Sequence, residues 1–170
     1  FRLPPAGGGG DSGAQVDAWA DDLYEVLRWL TLQHPQLLVR AIVGLGGAAD
    51  VCNAYACKYG DAASCPTRML VQVGGSHGAV GDWPTGGWRV LSIVGAADAT
   101  ERRRAELYHT RHQHSGHRLR LLEGEGSGWL GSSSSSEGVS STINDWIEGA
   151  RRLNGDDAAA WASAPATREE

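Results

Sequence analysis

One segment of the chain places a hydroxyl group between glycines, a spacing that could support nucleophilic catalysis. Gly74-Gly75-Ser76-His77-Gly78 matches the pattern G-x-S-x-G and directly follows the apolar run MLVQV. A serine nucleophile in this pattern needs a helix directly after it, because the helix N-terminus helps to stabilise an oxyanion. The segment AVGDWPTGG follows instead, and its Gly and Pro residues favour a loop. We therefore interpret Ser76 and His77 as loop residues, and keep Ser76 as an alternative nucleophile for which the adjacent His77 is a poorly placed base.

A group of histidines offers a second kind of chemistry, metal binding. Four of them fall within nine residues: His109, His112, His114 and His117. Spacings of two and three residues between histidines can bind zinc, but no cysteine lies nearby and the candidate carboxylates come earlier in the same segment. Histidines near a helix C-terminus also interact favourably with the helix dipole. We therefore expect a polar helix end and no metal site.

The segment GLGGAA could be a dinucleotide-binding turn. Gly44, Gly46 and Ala49 fit the variant of the fingerprint that ends in alanine. The fingerprint also needs an acidic residue about 20 positions later, at the end of a second strand. The chain has SCPTR there. We therefore expect no cofactor.

Composition limits the classes of function that fit this chain. With 170 residues and 41% hydrophobic residues, it is long enough for one domain with a core. The net charge of −5 argues against a nucleic-acid partner, which would call for a basic face. No apolar run approaches the roughly 20 residues that span a bilayer. Three cysteines without a C-x-x-C pair favour a reducing, intracellular compartment.

The hydrophobic pattern alternates between helices and strands. Apolar residues at steps of three and four predict a first helix from residue 16 to near His34-Pro35 and further helices at 51–59, 100–112 and 143–150, the second ending at a left-handed Gly60. Short apolar runs predict strands at 37–43, 69–73, 88–94 and 117–122, whereas the serine run in 131–138 predicts a flexible loop. Strands joined by helices indicate an α/β fold with a mainly parallel sheet of about four strands and helices on both faces. The domain spans residues 14–153, between a flexible linker at 1–13 and a loose tail at 154–170.

Ligand sites of parallel sheets lie beyond the carboxyl ends of the strands, and four turns meet there in this chain. The strand RAIV, the turn GLGGAA and the following helix resemble the nucleophile turn of the α/β-hydrolase superfamily of serine esterases and lipases. VGAADAT is similar to the turn that carries the acid of the catalytic triad, which places the acid at Asp98. LRLLEGEGSGW is similar to the last strand and the histidine turn, which places the histidine position at Ser127. The resemblance covers roughly residues 15–152 and implies the C-terminal half of a hydrolase core.

The triad implied by the resemblance is degenerate in this chain. Gly46 stands at the nucleophile position and Ser127 at the histidine position, so only Asp98 retains a triad side chain. Glycine has no nucleophile, and serine is no general base near neutral pH. The sequence therefore predicts a hydrolase-like pseudoenzyme that acts as a structural or binding subunit. The alternative is a serine hydrolase that acts on an ester or acyl substrate through Ser76.

The resemblance also implies that half of the sheet comes from elsewhere. The strand that begins at Leu37 and ends at Val43 would lie in the middle of a complete hydrolase sheet, but here it forms an edge. Exposed apolar edges are usually covered, and only Arg40 interrupts this one. We expect a protein partner, or a missing N-terminal half, to cover it.

Overall fold

The computed structural model describes residues 12–75, 87–112, 116–122 and 133–152 of the chain. Within these residues the chain forms four helices and four strands. The helices are α1 (Ser12–Gln33), α2 (Ala48–Tyr59), α3 (Ala99–His112) and α4 (Ser133–Arg152). The strands are β1 (Ile42–Leu45), β2 (Met69–Val73), β3 (Arg89–Gly95) and β4 (His117–Leu122). The order of elements is the predicted one.

The four strands form one sheet in the order β1-β2-β3-β4, and every neighbouring pair is parallel. The two inner strands, β2 and β3, are almost entirely buried. Their sequences, apolar except for Arg89, Gln72 and Ser92, fit this position, because a strand of a parallel sheet that is covered on both faces needs no polar side. Since all four strands run in the same direction, the turns that follow β1, β2 and β3 lie at one edge of the sheet. The structure confirms the predicted α/β class and parallel sheet.

Helices cover both faces of the sheet. On one face, α1 and α2 pack over a core formed by Ile42, Leu70 and Val90, which the strand register places side by side. On the same face, α3 packs over β3 and β4 through a smaller core of Val94, Ala105 and Leu119. On the opposite face, Val139 and Trp146 of α4 pack against Val71, Val73, Leu91 and Ile93. The side chains of β2 and β3 thus alternate between the two cores, as the pleat of a strand requires.

Three local predictions were wrong. The first strand is shorter and later than predicted, because only residues 42–45 pair with β2. Just before the strand, the carbonyl oxygen of Arg40 instead accepts a 2.7 Å hydrogen bond from the hydroxyl of Thr67. Gly60 ends α2 with a right-handed φ of −63°, and its amide donates to the carbonyl of Ala56 as one more helical bond. Four serines of the run predicted as a loop, residues 133–136, form the first turn of α4, which begins at Ser133. Serine is favoured at helix starts, where its hydroxyl can accept a hydrogen bond from a free amide.

Both ends of the predicted domain lie at the limits of the described residues. Helix α1 begins at Ser12, inside the segment predicted as a linker at 1–13. Residues 1–11 and 153–170, which include the rest of that linker and the predicted tail, lie outside the described residues.

Candidate functional site at the carboxyl edge of the sheet

A sharp turn connects β1 to α2 at the carboxyl edge of the sheet. Strand β1 ends at Leu45, Gly46 and Gly47 form the turn, and α2 begins at Ala48. Gly46 has a φ of 57°, in the left-handed region that favours glycine. Its amide donates a 2.8 Å hydrogen bond to the carbonyl oxygen of Val73, and its own carbonyl accepts one of 2.9 Å from the amide of Ala49. The turn is therefore attached to both β2 and α2, and Gly46 occupies its tip.

Close backbone packing supports this turn. A Cβ atom added to Gly44 would lie 2.6 Å from the Cα atom of Ala49 and 2.8 Å from the carbonyl oxygen of Ala48. A Cβ atom added to Gly75, which follows β2 with a φ of 99°, would lie 2.9 Å from the Cβ of Ala49. At Gly46, in contrast, an added Cβ would meet no described atom within 4 Å. The start of α2 thus lies directly against the ends of two strands, while at the tip of the turn the described residues leave space for a side chain.

Asp98 lies between β3 and α3, directly before the first residue of the helix. One of its carboxylate oxygens, Oδ1, accepts hydrogen bonds from the amides of Thr100 and Glu101, each 3.0 Å long. This is the geometry of an aspartate that caps a helix N-terminus, where free amides need acceptors. Glu101 is affected in turn: burial, and then the charge of Asp98, raise the pKa of its carboxyl group. Asp98 therefore has a structural role in α3.

The structure places two of the three predicted triad positions at one edge of the sheet. Gly46 follows β1 and Asp98 follows β3, and β2 lies between these strands. At a spacing of about 5 Å per strand, the two turns start about 10 Å apart. The third position, Ser127, lies outside the described residues, as do the alternative nucleophile Ser76 and its neighbour His77.

A buried polar network beneath this edge was not predicted. Gln72 in β2 donates from Nε2 to Oδ1 of Asn53 in α2, and its Oε1 accepts a 3.2 Å hydrogen bond from the hydroxyl of Ser92 in β3. Tyr108 in α3 donates a 3.0 Å hydrogen bond to the same Oδ1 of Asn53. Burial raises the pKa of Tyr108 well above its ordinary value, so its hydroxyl stays protonated and donates. The network links the helix that follows Gly46 to the helix that Asp98 caps, and the one signal for it is a glutamine inside the apolar run MLVQV.

Two of the four histidines that could have bound a metal, His112 and His117, pack as aromatic rings. The ring of Tyr108 lies 4.7 Å from that of His112 and 5.3 Å from that of His117, which is buried. Among the residues that the structure describes, no group of three or more His, Cys, Asp or Glu side chains is placed to hold a metal ion. His114 lies outside those residues. No described helix is both long and apolar enough to cross a membrane.

Comparison with protein-family models gave no match, and comparisons with curated proteins and with solved structures gave no significant match. The functional argument therefore depends on the geometry of the turns at the sheet edge.

Proposed function

We propose that this chain corresponds to the C-terminal half of an α/β-hydrolase core that has no working catalytic triad and acts as a structural or binding subunit. The turn between β1 and α2 is the observation that carries the proposal. In α/β hydrolases the nucleophile sits on a sharp, strained turn from a strand into a helix. Gly46 occupies such a turn with a φ of 57°, and it has no side chain that could attack a substrate.

The order of elements supports the same assignment. In the hydrolase family the acid follows the nucleophile along the chain and the histidine comes last. Here Asp98 follows β3, two strands beyond the turn of Gly46, and the segment with Ser127 comes after β4 in sequence. The tight approach of Gly44 to Ala49 also supports it, because a strand can turn this sharply into a helix only where small residues face each other.

Chemistry through these three positions is not available to the chain. Gly46 offers no nucleophile and Ser127 no imidazole to accept a proton. The remaining acid, Asp98, already accepts two amide hydrogen bonds at the start of α3. In serine hydrolases, removal of a single triad member costs several orders of magnitude in rate. A module with two of three members replaced is therefore better suited to binding than to hydrolysis.

The surface around β1 is where we place the partner. As the first strand of the sheet, β1 has a hydrogen-bonding edge that no other described strand covers. Val43 and Leu45 are 43% and 55% exposed, and Leu38, shortly before the strand, is 81% exposed. Apolar strand edges are ready templates for a further strand. We propose that a partner protein, or the N-terminal half of a hydrolase-like core, covers this edge.

Labelling with a fluorophosphonate probe tests the proposal, because the probe reacts with activated serines. The purified chain, shown to be folded by circular dichroism, is incubated with the probe beside an active serine hydrolase, and adducts are located by peptide mapping. We expect no adduct. The matched control is Ser64→Ala, which removes a hydroxyl from an exposed turn. The alternative, a serine ester hydrolase, would be established by stoichiometric labelling that maps to Ser76. That labelling should disappear in Ser76→Ala and persist in Ser64→Ala.

A further inference from the structure

The outward face of α3 combines arginines with one exposed apolar side chain. Leu107 is 58% exposed. Arg103 and Arg111 lie one helical turn before and after it, and Arg104 lies three residues before it, so all three share its side of the helix. The three arginines are exposed, and within the described part of the chain none of them forms an ion pair. We name this surface the α3 arginine face.

The rest of α3 fixes the direction of this face. Ala105 and Tyr108 are buried on the opposite side, where the helix packs over β3 and β4. The two acidic residues of the helix lie away from the arginine face: Glu101 is half-buried near Asp98, and Glu106 pairs with Arg102 at 3.7 Å. The arginine face therefore has three positive charges and no carboxylate from its own helix, although the whole chain has a net charge of −5.

We propose that the α3 arginine face binds an acidic segment of a partner protein, with an apolar side chain of that segment packed on Leu107. Guanidinium groups bind carboxylates through two parallel hydrogen bonds, which makes arginine effective at such contacts. An apolar centre with a charged rim is also the usual anatomy of a protein interface. Because this surface lies on α3, the inference is independent of the degenerate triad and of the edge at β1.

Charge and size favour a protein over a nucleic acid. Arg103 and Arg111 are eight residue steps apart, which is about 12 Å along the helix axis. A nucleic-acid surface normally extends over a wider basic area, and the net charge of −5 opposes attraction to a polyanion at longer range. Leu107 at the centre adds apolar contact area that a phosphate backbone would not use.

Fluorescence anisotropy with two labelled peptides tests this proposal. One probe is a twelve-residue helical peptide of Glu and Leu, and the other has Lys in place of every Glu. With the full chain, we expect saturable binding of the Glu peptide only, weaker by about tenfold when salt is raised from 50 to 300 mM, because screening shortens the range of surface charges. Leu107→Ser should weaken binding about threefold at both salt concentrations, since it removes apolar contact area and no charge.

A matched pair of charge reversals gives the decisive comparison. Arg104→Glu and Arg28→Glu change the net charge equally, but Arg28 lies on α1, where it pairs with Glu25. We expect at least about tenfold weaker binding for Arg104→Glu and less than twofold for Arg28→Glu. Equal losses in both variants, or no saturable binding by the Glu peptide, would overturn the proposal. Tighter binding of a single-stranded oligonucleotide than of the peptide would also overturn the proposal, because it would assign the face to a nucleic acid. If the chain forms a dimer and Arg104→Glu abolishes the dimer, the face binds a second copy of the chain, and the proposal is again overturned.

Discussion

Two glycines in the turn between β1 and α2 should respond very differently to the same substitution. At Gly44, the added methyl group of Gly44→Ala would lie 2.6 Å from the Cα atom of Ala49 and 2.8 Å from the carbonyl oxygen of Ala48. These are backbone atoms of the first turn of α2, so they can move away only if the helix shifts. At Gly46, the same methyl group meets no described atom within 4 Å, and the whole cost comes from the φ of 57°.

The magnitudes follow from these two causes. Forcing a methyl group into a closely packed site costs about 1–3 kcal/mol, and more where the backbone has to move, so we expect about 3 kcal/mol or more for Gly44→Ala. A non-glycine residue in the left-handed region costs about 1–2 kcal/mol, which is our expectation for Gly46→Ala. Since small domains have about 5–15 kcal/mol of total stability, Gly44→Ala should remove a large part of it.

Urea denaturation monitored by tryptophan fluorescence measures both losses. Gly138→Ala, on an exposed face of α4 where an added Cβ meets no described atom, is the control and should stabilise the chain by about 0.5–1 kcal/mol. The slope of unfolding free energy against urea should stay the same, so that changes in midpoint report stability. If Gly44→Ala cost no more than Gly46→Ala, the close approach of β1 to α2 would be wrong, and with it the assignment of Gly46 to a nucleophile-type turn.

Three further predictions concern other parts of the fold. Gln72→Leu should cost about 3 kcal/mol, against about 1 kcal/mol for Tyr108→Phe, because loss of the Gln72 amide removes the acceptor of the buried Ser92 hydroxyl and one of the two donors to Asn53 Oδ1; urea denaturation of both variants checks this. Hydrogen bonds from Lys58, and then from Tyr59, lower the pKa of Asp21 below its ordinary value of 3.8. The contribution of Asp21 to stability is therefore complete above pH 3.8 and is lost as the pH falls through the lowered pKa of the folded state. The stability difference between the native chain and Asp21→Asn should therefore shrink from pH 6 to pH 2, and a constant difference would contradict this linkage. Leu45→Lys on the exposed edge should change unfolding free energy by less than about 1 kcal/mol but reduce concentration-dependent association, as measured by sedimentation velocity.

The parts of the fold that the sequence predicted well are those in which one local pattern decides the outcome. Strand β2 is a short run of apolar residues buried on both faces, and its bounds match the prediction. The start of β1 was not predictable in this way, because it depends on which residues meet β2 and on the hydrogen bond from Thr67, 27 residues away. The start of α4 was also missed, since a serine run is equally compatible with a loop and with a helix N-terminus.

The candidate site shows the same division between local and distant causes. The turn at Gly46 was predictable, because glycines between an apolar run and a helical pattern favour a sharp turn. The network around Gln72 was not, because its hydrogen bonds join residues 19 to 55 positions apart and exist only after α2 and α3 have packed on the sheet. The sequence therefore indicated where the turns lie, but not the buried contacts that hold the adjoining helices in place.

Asp98 is the one position of the proposed triad with a side chain of the expected type, and its structural role changes what that side chain implies. A carboxylate at this position could indicate catalysis only if nothing else in the molecule required it. Two amides at the start of α3 do require it, because the first amides of a helix have no partner within the helix. Loss of such a cap costs about 0.5–2 kcal/mol, which is enough to account for an aspartate there without any catalytic step. The presence of Asp98 is therefore equally compatible with a hydrolase and with a binding module, and our proposal of a binding module depends on the glycine at position 46 instead.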